Sequence, residues 1–241
     1  MNKKIGIIGD VHAEHERLEL ALNWLNKECV DVVICTGDVA DGLGDIDVAC
    51  DLLASNNVLT VAGNHDRWLL TDTVRHVENA HSKTTVRDST LQFLFNLPKT
   101  LRIPTIDGEL LLCHGVIEDD LAKIWPGTAT TDPKRSTALD EMLSQSINVP
   151  RFVINGHMHF RTLIDFANCQ LINAGTLKGL HSGVSILDLD AHTLCGYDLC
   201  AENHFLPAQS HFLKECGQRR VWRNTQEFDS QWQPVILHCP L

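Results

Sequence analysis

Seven side chains in this sequence have the donor atoms to hold metal ions: Asp10, His12, Asp38, Asn64, His114, His157 and His159. Each follows an apolar, strand-like run that ends in glycine or cysteine. The five segments read IGIIGDVH, DVVICTGDVAD, VLTVAGNHD, LLLCHG and FVINGHMH. Imidazoles, carboxylates and one amide, without thiolate, suit Mn, Fe, Zn, Co or Ni. The set is large enough for two divalent metal ions rather than one. A pair of cations roughly 3.5–4 Å apart clamps a phosphate from two sides and ionises a bridging water, whose hydroxide attacks in line. The chemistry to which these residues point is phosphate-ester hydrolysis.

The spacing within each segment supports a shared site. Asp10 and His12 are two apart, as are His157 and His159, and extended backbone turns such pairs to the same side. Asp38 is the carboxylate assigned to bridge both cations with its two oxygens. Four histidines and an asparagine hold metal without cancelling its charge. Two cations, Asp10, Asp38 and a hydroxide leave the centre at about +1, a local attraction stronger than the screened repulsion of an acidic surface.

Strands must deliver these groups. Residues 3–9, 30–35 and 57–62 read as strands, and 15–29, 46–55 and 66–79 as helices. That alternation is the pattern of an α/β sheet, whose parallel strands bring their C-terminal ends to one edge. Residues 100–106 and 109–113 read as a hairpin around Asp107-Gly108, 126–137 as a polar loop and 136–147 as a helix. Further strands are expected near 151–155, 161–165, 169–173, 183–189 and 193–199. The expected fold is α/β: two packed mixed β-sheets flanked by helices, a four-layer αββα sandwich. Residues 1–200 form the domain. Residues 201–241, with Phe205, Phe212, Trp222, Phe228 and Trp232, read as a C-terminal extension packed on it, with a lid or dimer contact as the alternative.

The bulk properties exclude other classes. The chain has 241 residues, 20 basic against 31 acidic, and a net charge of −11. With no basic stripe, extended nucleic-acid binding is not expected. Nine cysteines without a C-x-x-C pair indicate buried thiols rather than disulfides or a zinc knuckle. No apolar run reaches a membrane span, and the first apolar stretch is too short for a signal-peptide core. The expectation is a cytoplasmic protein with a small phosphate-ester substrate and no membrane partner; a homo-oligomer is left open.

The order D-x-H, GD-x-x-D, GNHD, H-G and GH-x-H resembles the calcineurin-like metallophosphoesterase family over residues 3 to about 190. The resemblance implies a first metal held by Asp10, His12, Asp38 and His159. It implies a second held by Asp38, Asn64, His114 and His157, with His65 as catalytic imidazole and Asp41 as its carboxylate partner. Protein serine/threonine phosphatases and symmetrical diadenosine tetraphosphatases carry arginine where this chain has Gly42, and glutamate where it has Asp66. INAGT at 172–176 resembles the N-P-G-S stretch of the small bacterial phosphodiesterases, the closer branch. Hydrolysis of a phosphodiester or small phosphomonoester is therefore expected. A pyrophosphohydrolase of dinucleoside polyphosphates and a catalytically silent scaffold are the alternatives. Arg67 and Arg161, with Lys134 and Arg135, are candidate phosphate contacts. Trp68 and Trp125 read as core residues before base-stacking ones.

Overall fold

The computed structural model describes residues 1–125, 134–145 and 147–215 and the short strand at 235–236. The first half contains β1 (Lys4–Ile8), α1 (His15–Lys27), β2 (Val32–Cys35), α2 (Ile46–Ser55), β3 (Leu59–Thr60), α3 (Asn64–Thr71), α4 (Asp88–Asn96), β4 (Thr100–Thr105) and β5 (Gly108–Cys113). The second contains α5 (Thr137–Ser144), β6 (Phe152–Asn155), β7 (Arg161–Asp165), β8 (Gln170–Ala174), β9 (Gly183–Asp188), β10 (Thr193–Leu199), β11 (Phe205–Phe212) and β12 (Val235–Ile236). One sheet has the order β11-β10-β9-β1-β2-β3 and the other β12-β7-β8-β6-β5-β4. Both are mixed: β1, β2 and β3 run parallel, as do β5, β6 and β8, while β9 is antiparallel to β1 and β7 to β8.

Side-chain alternation explains the layers. In β1, Ile5 and Ile7 meet Leu110, Leu112, Phe152 and Ile154 of the opposite sheet, whereas Ile8 joins Leu18, Leu22 and Leu25 of α1. In β5, Leu111 and Cys113 turn outward to Leu139 and Met142 of α5. Both faces of β5 are covered, so its run is continuously apolar rather than alternating. The α1 stripe of Leu18, Ala21, Leu22 and Leu25 is buried, the i, i+3, i+4, i+7 spacing of a helix on a sheet. At the start of α2, the Asp45 carboxylate accepts from Asp47 N and Val48 N, satisfying two amides that the helix itself leaves open.

Three elements differ from the sequence expectation. The helix expected to run to residue 79 stops at Thr71, because Asp72 turns left-handed (φ 54°) and its N–H caps the carbonyls of Leu69 and Trp68. The α4 helix was not foreseen; only Thr90 and Leu94 are buried on it, too little for a visible stripe. Residues 205–212 form β11, registered on β10 from Phe205↔Leu199 to Phe212↔Thr193. Its Pro207 reads against a strand, but an outermost position tolerates proline. Residues 126–133 of the polar loop, together with Trp222, Phe228 and Trp232, lie outside the described residues. Among the described residues no helix is long and apolar enough to cross a membrane.

Candidate metal centre

The parallel strands end side by side, and the chemistry-bearing residues follow those ends: Asp10 and His12 after β1, Asp38 and Asp41 after β2, Asn64 and His65 after β3. From the second sheet come His114 after β5 and His157 and His159 after β6. The turns are tight. His12, Asp38, Asp41, His157 and His159 have φ of 47°, 45°, 68°, 63° and 57°, a left-handed conformation that costs non-glycine residues roughly 1–3 kcal/mol each. A Cβ on Gly156 would fall 2.1 Å from Asp10 Oδ1, so the glycine of GHMH lets the carboxylate lie against bare backbone.

Two groups of donor atoms result. Asp10, His12, Asp38 and His159 form one, and Asp38, His114 and His157 the other, with the ligand atoms of each within 4.8 Å of one another. Neighbouring groups orient them. His12 Nδ1–H donates to Asp41 O at 3.0 Å and His114 Nδ1–H to Thr36 O at 2.8 Å, which turns each Nε2 inward, as the outer partners of ligating histidines do. Asp10 accepts from Thr36 Oγ1 at Oδ1 (2.9 Å) and from His157 N at Oδ2 (2.8 Å); Oδ2 also lies 3.2 Å from His159 Nε2. Asp38 Oδ1 accepts from His65 N at 2.8 Å. Asp38 Oδ2 faces both groups, 3.3 Å from His114 Nε2 and 3.9 Å from His12 Nε2. A single Asp38 oxygen thus faces both groups, while the other is held by the His65 amide.

The second group extends to Asn64, whose Oδ1 lies 3.0 Å from His114 Nε2. Turned over, the amide would donate to His114 Nε2 at 3.0 Å and His157 Nδ1 at 2.9 Å. Two imidazole nitrogens and an amide oxygen thus crowd together. In the first group, His12 Nε2 and His159 Nε2 are 3.1 Å apart. A ring or amide proton can close each of these approaches, and with such protons removed the same convergent donors fit a divalent cation. Among the described residues no thiol joins either group: Cys113 is buried, its pKa pushed up to about 12 by burial, and burial raises that of Cys35 also.

Electrostatics identify what supplies the positive charge without metal. Burial disfavours the His114 cation, yet the Asp38 and Asp10 carboxylates outweigh it and push its pKa up to about 10. Burial likewise resists ionisation of Asp38, but His114, His12 and His65 hold it below the usual carboxylate range. Burial, with His114 adding repulsion, pulls His157 down to about 4, and burial lowers His12. His159 moves up, because Asp10 and Asp38 more than offset burial. The metal-free cluster therefore favours a proton on His114, which a cation held there would displace. The sign follows: apparent metal affinity should rise with pH, by about one log unit per unit between pH 7 and 9 where this proton alone is released. Calorimetric metal titrations in buffers of different ionisation enthalpy measure that proton; an affinity independent of pH would contradict its displacement.

Beside these groups His65 Nδ1 donates to Asp41 Oδ2 at 2.8 Å. His65 also rests edge-on against His12 (4.9 Å between centroids) and tilted against Trp68 (4.7 Å). Asp41 is held in turn by Arg75, with Nη1 on Oδ1 and Nη2 on Oδ2, both at 2.9 Å, and by His81 N on Oδ1 at 2.9 Å. Burial raises the Asp41 pKa, but His65, Arg75 and the His81 amide together bring it below the ordinary range. Arg75 and His81 belong to no motif; no sequence spacing marks them. Asp66 ties the loops together, accepting from Gly63 N and Ala40 N at 2.9 Å each. A Cβ at Gly42 would meet His12 O at 1.8 Å, so no arginine fits there.

The expected phosphate contacts divide. Arg67 is partly exposed and binds Asp120 through two hydrogen bonds of 2.6 and 2.8 Å. Arg161 must be corrected: it is 1% exposed, donates to Tyr197 O (2.8 Å) and Val184 O (3.3 Å) and pairs with Asp198. Its guanidinium ties β7 to β9 and β10 inside the fold, away from any ligand in solution. Lys134 and Arg135 are exposed. Trp125 is buried against Phe160, 5.2 Å between ring centroids.

Comparison with known proteins places this architecture. The chain is 27% identical over 193 residues to an uncharacterised protein of Methanocaldococcus jannaschii, covering 77% of this chain and 71% of that one. A metallophosphoesterase from Sphaerobacter thermophilus shares the fold with a TM-score of 0.55 at 19% identity, over 88% of this chain and 90% of the other. The phosphoesterase Yfce from E. coli does so with a TM-score of 0.53 at 14% identity, over 88% of this chain and 100% of that chain. The model of the calcineurin-like phosphoesterase superfamily domain matches residues 3–192, the stretch that carries every candidate ligand. The chain belongs to the calcineurin-like phosphoesterase superfamily and is a metal-dependent phosphoester hydrolase.

Proposed function

We propose that this protein hydrolyses a phosphodiester or a small phosphomonoester at a centre of two divalent ions. The observation that carries the reading is the single Asp38 oxygen facing both donor groups. Asp10, His12, Asp38 and His159 would hold one ion, and Asp38, Asn64, His114 and His157 the other. Bound there, the ions supply Lewis-acid charge for the phosphoryl oxygens and make water acidic enough to attack at neutral pH.

The remaining steps fall to the chain's own residues. With Nδ1 committed to Asp41, His65 has Nε2 left to protonate the departing oxygen. Asp41 holds the ring in that tautomer and stabilises its charged form, and the Arg75 fork fixes the carboxylate. Trp68 against the His65 ring narrows its range of motion. Gly42, with no room for arginine, weighs against a dinucleoside polyphosphate substrate.

Metal-stripped protein resupplied with one cation at a time, assayed on bis-p-nitrophenyl phosphate and p-nitrophenyl phosphate, tests this reading. We expect turnover of at least one ester only with divalent metal, and saturation at two ions per chain. Full activity with one equivalent would contradict a paired centre.

A further inference from the structure

We propose that the crevice between α3 and α4 is the subsite for an apolar, flat arm of the substrate, so that the natural ester joins its phosphate to an aromatic or similarly apolar group. This rests on the phosphoesterase reading above. A cavity of about 320 Å³ opens beside His114, one of the ligands, so the place where phosphate would bind and the crevice share a wall. Helix geometry makes the two continuous. Asn64, Arg67 and Thr71 are spaced by three and four along α3 and so share one of its faces. A candidate metal ligand stands at one end of that face and the cavity wall at the other. Seven residues of helix rise about 10 Å, the reach of an aromatic ester arm extending from the phosphate.

The wall chemistry selects the occupant. Leu70, Leu94, Leu97 and Ile117 line the cavity together with Phe95, which is 73% exposed although its neighbour Leu94 is 1% exposed. Four charged residues also line it, Arg67, Lys99, Glu118 and Asp120, of which Arg67 and Asp120 satisfy each other through two hydrogen bonds. Two groups of each sign leave the lining without net charge, so it does not favour an ionic arm of either sign. A sugar-like or charged arm would leave hydroxyls or charges unpaired against leucine and phenylalanine, a loss that apolar walls do not repay. A ring gains by removing the exposed Phe95 surface from water.

Phosphonates test the subsite without requiring turnover. Methylphosphonate, benzylphosphonate and 1-naphthylmethylphosphonate would be titrated calorimetrically into the metal-loaded protein. We expect the naphthylmethyl compound to bind about 10-fold or more tightly than the methyl one, the range that apolar pockets reach for added carbon. In Phe95→Asp and Thr71→Trp, both at exposed positions, the ratio of the two affinities should fall to within about 3-fold. Equal binding of all three by the parent protein, or an unchanged ratio in both variants, would overturn the subsite. If arm preference persists but no phosphate ester of any kind is hydrolysed, the subsite stands and the phosphoesterase reading fails. If esters turn over without arm preference, the reverse holds.

Discussion

Asp38→Asn is expected to abolish hydrolysis of every phosphate ester the protein accepts, with a loss on the order of 10³-fold or more. The physical reason lies in the two faces of the carboxylate. Oδ1 is already spent on the His65 amide, so an asparagine oxygen would take that place and leave its NH2 where Oδ2 now faces His114 and His12. A donor would then occupy the position at which both donor groups need an acceptor. One negative charge is also lost from a centre in which every other carboxylate oxygen has a partner. The substitution is nearly isosteric, so the fold should persist; circular dichroism and thermal melting would confirm that. Metal content measured after gel filtration should fall together with activity. A variant that retains both full metal and full turnover would refute the shared role of Asp38.

His65→Ala should produce a selective loss rather than a uniform one. If His65 protonates the leaving oxygen, alkyl esters with basic leaving groups should slow by roughly 10²–10⁴-fold, whereas p-nitrophenyl esters, whose leaving group needs little protonation, should slow by less than about 10-fold. Metal content should not change, because His65 contributes only its backbone N–H to Asp38, and alanine keeps that group. Arg75→Ala should show the same selectivity in weaker form, about 10-fold on alkyl esters, because outer partners of catalytic groups act through orientation. Both of its contacts with Asp41 would be lost, but the His81 amide and His65 would remain on the carboxylate. Equal losses on alkyl and p-nitrophenyl esters in both variants would remove His65 as a proton donor and leave it a support of the turn.

The part of the site that sequence made legible has a common property. Each candidate ligand sits just beyond an apolar run, and a parallel sheet must bring such positions to one edge. Asp10, His12, Asp38, Asn64, His114, His157 and His159 were readable for that reason, and the structure draws them into two adjoining groups. Much of what orients them was not readable. The carbonyls of Thr36 and Asp41 fix the imidazole tautomers, and a backbone oxygen has no identity in sequence. Arg75 reaches Asp41 across 34 positions from an irregular stretch beyond α3, a pairing that no periodicity encodes.

Arg161 shows the converse error. A sequence shows an arginine available for phosphate but not its direction, and here the chain turns at His159 and β7 begins at Arg161 itself. That register carries the side chain inward, to carbonyls of β9 and β10 and to Asp198. The overlong helix reading at 66–79 failed locally, where Asp72 and Val74 both take positive φ. That break brings Arg75 to the position from which it can bind Asp41. The β11 strand was hidden by Pro207 and by exposure of most of its side chains, because an edge strand gains its order from hydrogen bonds to β10 rather than from a buried face.

The most direct measurement is anomalous diffraction from crystals of the protein loaded with manganese, recorded above the metal absorption edge. The account predicts two peaks in each chain, one enclosed by Asp10, His12, Asp38 and His159 and the other by Asp38, Asn64, His114 and His157, with Asp38 Oδ2 adjoining both. A single peak with all seven side chains in place and metal in excess, or peaks elsewhere on the molecule, would contradict it.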